Sequence, residues 1–313
     1  MGKICFGIDV GGTTIKIGIF TEEGRMIDTW EIPTRKEENG SHILEDVAAA
    51  VEKAIEDNGF DRGNVVGVGL GIPGPVTDDG VVLGCVNLGW DITPAATILN
   101  QLLGFPVKVG NDANVAALGE QWQGGGKGHD NMVMVTLGTG VGGGIVIDGK
   151  ILAGINGAAG EIGHIPVDFS DDAFTCGCGL KGCLETLASA TGIVNLAKRY
   201  IDRTENETAI RKLETITAKD VFDLAKDGDA GAKEVVDQMV HYLGNALAAI
   251  GVVINPEVIV IGGGVSKAGQ YLVDLLEEDF NTKCFHALKN TEFALATLGN
   301  SAGVVGAARL VLQ

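Results

Sequence analysis

Short apolar runs broken by turn residues open the chain. Ile4 to Asp9 predicts a strand, Val10-Gly-Gly-Thr-Thr a tight loop, and Ile15 to Phe20 a second strand turned back by Thr21-Glu-Glu-Gly. A third strand follows at Met26 to Ile32. The same order recurs from Met132: strand to Thr136, Leu137-Gly-Thr-Gly-Val-Gly-Gly-Gly as loop, strand Ile145 to Ile147, turn Asp148-Gly149, strand Lys150 to Leu152. A supersecondary unit that repeats in this way predicts an internally duplicated chain.

Between the copies, Ile43, Val47, Val51 and Ile55 recur four apart within Ser41 to Asn58, and Gly59 closes the run, which predicts a helix with one buried face. Val65 to Leu70 reads as a buried strand. Thr93-Pro94, as N-cap and first helical residue, starts a helix ending at Gly104, and Val107 to Val109 is the strand after it, delivering Asn111 and Asp112 at its carboxyl end. In the second half, helices at about Leu187–Ile201, Ala218–Lys226 and Ala230–Ile254 lead into the strand Val258 to Ile261, with Gly262-Gly-Gly behind it. Strands alternating with helices predict α/β layers. A length of 313 residues exceeds one ordinary domain of roughly 100–200 residues, so two lobes are expected, with the boundary near residues 112–125. Gln123-Gly-Gly-Gly-Lys-Gly has the composition of a hinge.

A hydrophobic fraction of 45% with 20% charged residues leaves little room for disorder. Lys+Arg 23 against Asp+Glu 41 gives a net charge of −18, which disfavours partners whose affinity depends on neutralising many phosphates, so neither nucleic acid nor an anionic membrane is expected. The start of the chain lacks the three regions of a secretory signal, and the longest apolar stretch, Ala246 to Ile254, is about half of the roughly 20 residues a membrane span needs. A cytoplasmic protein is expected.

The 48 glycines are about twice the usual share. Many fall in three loops that each follow an apolar strand: Asp9 to Thr14, Gly138 to Gly144 and Gly262 to Gly264. Glycine at such corners lets backbone N–H groups approach an anion, and the hydroxyls of Thr13, Thr14 and Thr139 can add donors. The loops therefore predict a phosphate cradle built from Gly11, Gly12, Thr13, Thr14, Gly138, Thr139, Gly140, Gly263 and Gly264. Asp9, at the tip of its strand, can hold hydrated Mg²⁺ bound to nucleotide phosphates, or cap its own turn. Gly69-x-Gly71-x-x-Gly74 and Gly138-x-Gly140-x-x-Gly143 match the dinucleotide fingerprint as strings, but neither opens a helix, so a nicotinamide-dependent dehydrogenase is disfavoured. No P-loop ending is present. The remaining glycines are expected in the hinge, in the turn before Val76 and around the cysteines.

Cys5, Cys85 and Cys284 are scattered, whereas Cys176, Cys178 and Cys183 are crowded together, with His164 a short way before them. Three thiolates and an imidazole make a closed tetrahedral shell, the pattern of structural Zn²⁺, and the intervening glycines let the chain wrap the ion. With all four positions filled by protein, the metal would brace the loop that carries Glu161 and Glu185 rather than activate water.

These residues together resemble the ROK family of bacterial sugar kinases, and most closely its glucokinases. The resemblance runs through Asp9-Val-Gly-Gly-Thr, Leu70-Gly-Ile-Pro-Gly-Pro, Asn111-Asp-Ala-Asn, Gly138-Thr-Gly-Val-Gly-Gly-Gly, Gly157-Ala-Ala-Gly-Glu-Ile-Gly-His, Cys176-Gly-Cys-Gly-Leu-Lys-Gly-Cys-Leu-Glu and Ile261-Gly-Gly-Gly-Val. It implies the two-lobed, actin-like ATPase fold, a duplicated ribonuclease-H-like α/β architecture with ATP and sugar in an interlobe cleft. Residues 1–115 would form the small lobe, with 301–313 packing back onto it, and 116–300 the large lobe with the zinc site. It further implies Asp112 as catalytic base, with Asn111, Glu161, His164 and Glu185 around the sugar hydroxyls. His164 can serve zinc and sugar together because its two ring nitrogens are distinct. Many family members carry Lys after the first-loop threonine, where Thr14 stands here.

The implied reaction is ATP-dependent phosphorylation of a hexose, glucose being favoured over N-acetylmannosamine, N-acetylglucosamine, mannose or fructose, and ATP over polyphosphate. A homodimer or homotetramer is the family expectation. Sugar-responsive repressors of the family carry a DNA-binding domain ahead of the first loop, whereas only eight residues precede Asp9, and a non-catalytic sensor would be expected to lack Asp112 or the glycine loops.

Overall fold

The structure, a computed structural model, describes residues 2–313. Ten strands make two sheets. The first contains β1 (Ile4–Val10), β2 (Thr14–Thr21), β3 (Met26–Pro33), β4 (Val65–Ile72) and β5 (Val107–Asn111) in the order β3-β2-β1-β4-β5. The second contains β6 (Met132–Leu137), β7 (Val141–Ile147), β8 (Lys150–Ile151), β9 (Val258–Gly262) and β10 (Glu292–Leu295) in the order β10-β9-β6-β7-β8. Adding five to each strand of the first order yields the second, read from the other edge. Both sheets join an antiparallel meander to two parallel strands: β1 pairs antiparallel with β2 and parallel with β4, while β9 runs parallel to both β6 and β10. The duplication read from the sequence is thus a duplication of sheet topology.

Two compact units divide the chain. One comprises the residues up to Asp130, Gly144–Gly160 and Leu298–Gln313; the other comprises Asn131–Gly143 and Glu161–Thr297. The helix Asp112–Gln123 is continuous across residue 115 and lies wholly in the first unit, as does the glycine-rich segment after it. No helix among the described residues is long and apolar enough to cross a membrane.

In the first unit the period of two along each strand separates two unlike faces. Ile4, Phe6, Ile8 and Val10 of β1, with Ile15, Ile17 and Ile19 of β2, pack against the helices Ile43–Asn58 and Ala95–Leu103. The opposite face carries Gly7, Gly18, Gly69 and Gly110, and onto it settles the helix Ala302–Val311. A methyl group on Gly7 would overlap the Val304 carbonyl, and one on Gly69 the Ala307 backbone. Gly119 and Gly306 let the helix Asp112–Gln123 approach Ala302–Val311 equally closely: a methyl on Gly306 would overlap the Val115 carbonyl. Gly7, Gly69, Gly119 and Gly306 therefore serve backbone-on-backbone packing rather than ligand loops. Cys5 joins this face by directing its thiol toward the Ala308 carbonyl at 3.8 Å.

Glu120 is fully buried within the same unit. Its Oε2 accepts from Gly125 N at 2.8 Å and its Oε1 from Leu298 N at 2.8 Å. The expected hinge segment is thus held by a buried carboxylate, next to the points where the chain passes from one unit to the other.

The second unit has a core of β6 and β9 residues, including Val133, Val135, Ile259 and Ile261, against the helices Ala190–Arg203, Ala218–Lys226, Ala230–Ile254 and Gln270–Lys283. Three local expectations are corrected. The run Val141 to Gly144 belongs to β7, so the loop is only Gly138–Gly140; an added Cβ on Gly142 would stand 2.7 Å from Thr136 Oγ1, so glycine fits this close-packed strand. The helix expected over Leu187–Ile201 is interrupted at Ser189, which adopts extended angles and whose side chain accepts from Gly192 N: Leu187 lies in a short helix, Glu185–Ala188, and the longer helix is Ala190–Arg203. Pro94, rather than Thr93, is the N-cap of Ala95–Leu103.

Replacing Gly69 with Ala should cost about 2–3 kcal/mol or more, since backbone atoms rather than a mobile side chain occupy the space. Urea unfolding monitored by circular dichroism measures it, and a loss below about 0.5 kcal/mol would mean that the helix is not seated on β4.

Candidate active site

The carboxyl ends of the parallel strands β1, β4 and β5 gather the first group of functional side chains. Asp9 lies in register beside Gly71, and Gly71 beside Gly110. Asp112, two residues beyond Gly110, therefore comes close enough for its charge to act on Asp9. Burial first, and the Asp112 carboxylate next, hold Asp9 above its ordinary value of 3.8, while Lys16 works in the opposite sense. Lys16 stands opposite Asp9 in the β1–β2 pairing, and its Nζ donates to the Asn300 carbonyl at 3.0 Å. An added Cβ on Gly303 would stand 2.5 Å from Asp9 Oδ2, so the first turn of the helix Ala302–Val311 faces the carboxylate. Two neighbouring carboxylates, one of them substantially buried, form a donor set that fits a hard divalent cation such as Mg²⁺, whose charge would offset their repulsion.

The loop after β1 is internally fixed. Gly11 N donates to Thr14 O at 3.0 Å, Thr34 N to Thr13 O at 2.9 Å, and Thr34 Oγ1 to Gly11 O at 2.7 Å. Thr13 and Thr14 are exposed, and Gly12 has open space on its Cβ side. Asn111 caps the helix Asp112–Gln123: its Oδ1 accepts from Ala113 N at 3.1 Å and Asn114 N at 3.2 Å, and its Nδ2 donates to Gly74 O at 3.1 Å. Asp112 Oδ1 accepts from Ala113 N at 2.8 Å. Its Oδ2 has no hydrogen bond among the described residues.

The second unit gathers the other group. Gly138 N donates to Gly140 O at 2.9 Å, closing the turn between β6 and β7, and Ala190 N and Thr191 Oγ1 bind the Gly138 and Thr139 carbonyls at 2.8 and 2.9 Å. Gly263, in the left-handed region at φ +84°, lies against the Leu137 backbone, where a Cβ would come within 2.5 Å. The pairing of Thr136 with Gly262 explains why the loops Gly138–Gly140 and Gly263–Gly264 lie together at the carboxyl ends of neighbouring parallel strands. Beside Gly264 opens a cavity of about 330 Å³ lined by Ala190, Phe222, Val265 and Ala268, with Lys219 and Lys226 among its polar residues.

The four metal-ligand candidates come together, with all donor atoms of His164, Cys176, Cys178 and Cys183 within 4.8 Å of one another. Cys178 Sγ and Cys183 Sγ are 3.7 Å apart, as are Cys176 Sγ and His164 Nδ1. Tetrahedral zinc with Zn–S bonds of about 2.3 Å separates two sulfurs by about 3.8 Å, so the donor set fits the ion. Burial first, and the neighbouring sulfurs next, push the Cys183 thiol up to about 12, which a divalent cation among the sulfurs would reverse. The turn that presents them is tight: Cys176 N donates to Leu180 O at 2.7 Å and Gly179 N to Cys176 O at 2.9 Å.

Glu161 and Glu185 flank this cluster. Glu161 Oε2 is 3.9 Å from His164 Nε2. Glu185 Oε1 lies 3.7 Å from Cys176 Sγ, and its Oε2 accepts from Val141 N at 3.1 Å. Ligation through Nδ1 would fix the His164 proton on Nε2, on the side of Glu161.

Lys16 and the apolar cavity were not read from the sequence. The first was signalled by the hairpin, whose register sets residues 9 and 16 opposite each other. The second lay in Ala218–Lys226, whose amphipathic pattern shows a buried face without showing that Phe222 borders a cavity.

Purified protein should carry about one equivalent of zinc per chain, and Cys183→Ser should lose the ion together with several degrees of Tm, at ~2–4 °C for each kcal/mol lost. Metal analysis paired with thermal scanning checks this, and full zinc retention by the variant would refute the assignment.

The ROK family model matches residues 5–313. A glucokinase of Halalkalibacterium halodurans is 47% identical over 312 residues, spanning 98% of this chain and 94% of that protein. The fold is similar to that of a ROK hexokinase from Thermus thermophilus, at 33% identity and a TM-score of 0.79 over 98% of this chain and 97% of that one. It is also similar to a ROK glucokinase from Streptomyces griseus in complex with glucose and AMPPNP, at 35% identity and a TM-score of 0.69 over 98% of both chains. With the match running almost end to end, and the loops, carboxylates and cysteine cluster in place, the chain belongs to the ROK family.

Proposed function

We propose that this protein is a glucokinase that transfers the terminal phosphoryl group of ATP to the 6-hydroxyl of glucose. The observation that carries the reading is the placement of Asp112. One carboxylate oxygen is held by a backbone N–H at the start of a helix, and the other is left for a substrate hydroxyl, beside the partly buried Asp9. The resemblance to glucokinases over nearly the whole chain supports the same conclusion and favours glucose.

Phosphoryl transfer demands positioning, charge neutralisation and a group that takes the proton of the attacking hydroxyl. Asp112 Oδ2 would accept that proton as the sugar oxygen bonds to phosphorus and the bond to the ADP oxygen breaks. Asn111, by capping the helix and holding Gly74, fixes the direction of Asp112 next to the sugar. Glu161 and Glu185 would accept hydrogen bonds from sugar hydroxyls, and His164 Nε2–H would donate one.

The backbone of Gly11, Gly12, Gly138, Thr139, Gly140, Gly263 and Gly264, with the hydroxyls of Thr13 and Thr14, would cradle the nucleotide phosphates. The apolar cavity beside Gly264 would take the purine, with Phe222 and Val265 as its walls. Mg²⁺, when bound with the nucleotide, neutralises phosphate charge, and Asp9 is the residue that would hold it. Zinc would be structural, setting His164 and the segment bearing Glu185.

Asp112→Asn is expected to keep the fold and the zinc while losing roughly 10²–10⁴ in kcat. Coupled ADP release over glucose, mannose, fructose, N-acetylglucosamine and N-acetylmannosamine tests both base and substrate. Near-wild-type turnover of the variant, or a preference for another sugar, would overturn the corresponding part.

Asp9 carries the opposite linkage from a stabilising carboxylate. Because its folded-state pKa is raised, the folded chain binds the proton more tightly than the unfolded one, and stability falls as pH rises through the window above 3.8. Asp9→Asn should therefore raise the Tm of nucleotide-free, Mg²⁺-free protein at pH 7.5, lose that gain as the pH falls below about 4, and lower kcat. Thermal melts across pH decide it; an Asn variant less stable than wild type at pH 7.5 would contradict the assignment.

A further inference from the structure

A second cavity, of about 350 Å³, lies entirely within the first unit and is lined in part by Lys108, Asn114, Lys150 and Gln313. Lys108 belongs to β5 and Lys150 to β8, each the last strand at its end of the sheet order, so the cavity is bordered by two sheet edges. Both lysines are exposed, and neither has an ion-pair partner among the described residues, in a chain whose net charge is −18. Against these two ammonium groups the lining sets one acidic side chain, Asp78, so the side chains of the cavity carry a positive balance that suits an anion.

Asn114 supplies the independent observation. It is only 4% exposed, it borders the same cavity, and its Oδ1 is buried without a hydrogen-bond partner. Buried amide oxygens are nearly always satisfied, so an orphan one against a cavity marks the place of a donor that the chain does not provide. Asn111, which also borders the cavity, is not that donor, because its Nδ2 is committed to Gly74 O. Asp78, exposed at the rim, opposes an anion near it and can accept from a hydroxyl. The lining therefore suits a ligand that is anionic at one end and carries hydroxyl donors at the other.

We infer that this cavity binds a phosphorylated polyol of hexose size, with the phosphate on Lys108 and Lys150 and a hydroxyl donating to Asn114 Oδ1. The volume lies at the lower end of small-molecule sites. Asn114 follows Asp112 by two residues in the same helix, so an occupant would bear on the turn that positions Asp112. The binding assignment is independent of the role proposed for Asp112; an effect on turnover rests on that role.

Calorimetric titration of the intact protein with glucose 6-phosphate, with glucose held at saturation to fill the hexose site, tests it, alongside a parallel titration with inorganic phosphate. Binding is expected to be measurable, stronger for glucose 6-phosphate than for phosphate, and weakened about tenfold or more in Lys108→Gln/Lys150→Gln, whose turnover without added ligand stays at the wild-type level. Both lysines are exposed, and a thermal melt checks that the variant is folded. A crystal structure with the ligand should place its phosphate between the two lysines. No binding, equal affinity for both probes, unchanged affinity in the double variant, or density only elsewhere would each overturn the proposal.

Discussion

The helix Ala302–Val311 lies on the backbone of the first sheet, and the first unit is organised around that contact. Side chains normally hold a helix about 10 Å from a sheet, but glycines at 7, 18, 69 and 110 remove them on one face, so the Val304 and Ala307 backbone atoms sit where Cβ atoms would stand. Such a seat tolerates no sliding, because carbonyls rather than deformable side chains define it. Its first turn is fixed against Asp9 through Gly303, and its flank is fixed against the helix Asp112–Gln123 through Gly119 and Gly306. Both carboxylates of the candidate site thus inherit their positions from one glycine-lined interface.

The electrostatics follow from that placement. An acidic chain brings Asp9 and Asp112 close together while supplying one nearby ammonium, Lys16, which is itself shared with the Asn300 carbonyl and Glu31. The result is a carboxyl held above its usual range, a condition that burial alone makes costly and a cation removes. Backbone N–H groups of the glycine loops add partial positive charge without adding basic residues. The net charge of −18 and the binding of one anionic nucleotide are compatible for that reason.

The cysteine cluster does for the second unit what the glycine seat does for the first. His164, Cys176, Cys178 and Cys183 come from two short segments with little regular structure, and their donors converge within 4.8 Å. Glu161 and Glu185 are each tied to one member of the cluster, at His164 Nε2 and Cys176 Sγ. A metal held there would steady the His164 turn beside Glu161 and the cysteine turn beside Glu185, which the Val141 N–H already holds by its other oxygen. Arrangements of this kind are common where loops must be rigid and a hydrophobic core is out of reach.

Much of this was legible in the sequence because it is local. Strand and helix periods, the repeat of the Asp9 segment at Met132, the cysteine and histidine spacing, and the glycine corners are all properties of neighbours along the chain, where geometry over a few residues decides the outcome. The strand β7 showed the limit: a run of glycines reads as a loop until a partner strand supplies its hydrogen bonds. The sequence pattern also could not say which glycines sit beneath a helix and which line a loop, since Gly69 and Gly138 look alike as letters. Only the tertiary structure decided that Gly69 carries Ala307, that Lys16 stands across from Asp9, and that Glu120 is buried on two backbone amides. Each depends on strand order and register, which bring together segments distant in the chain, and those are set by the packing of whole elements rather than by the preference of any one residue.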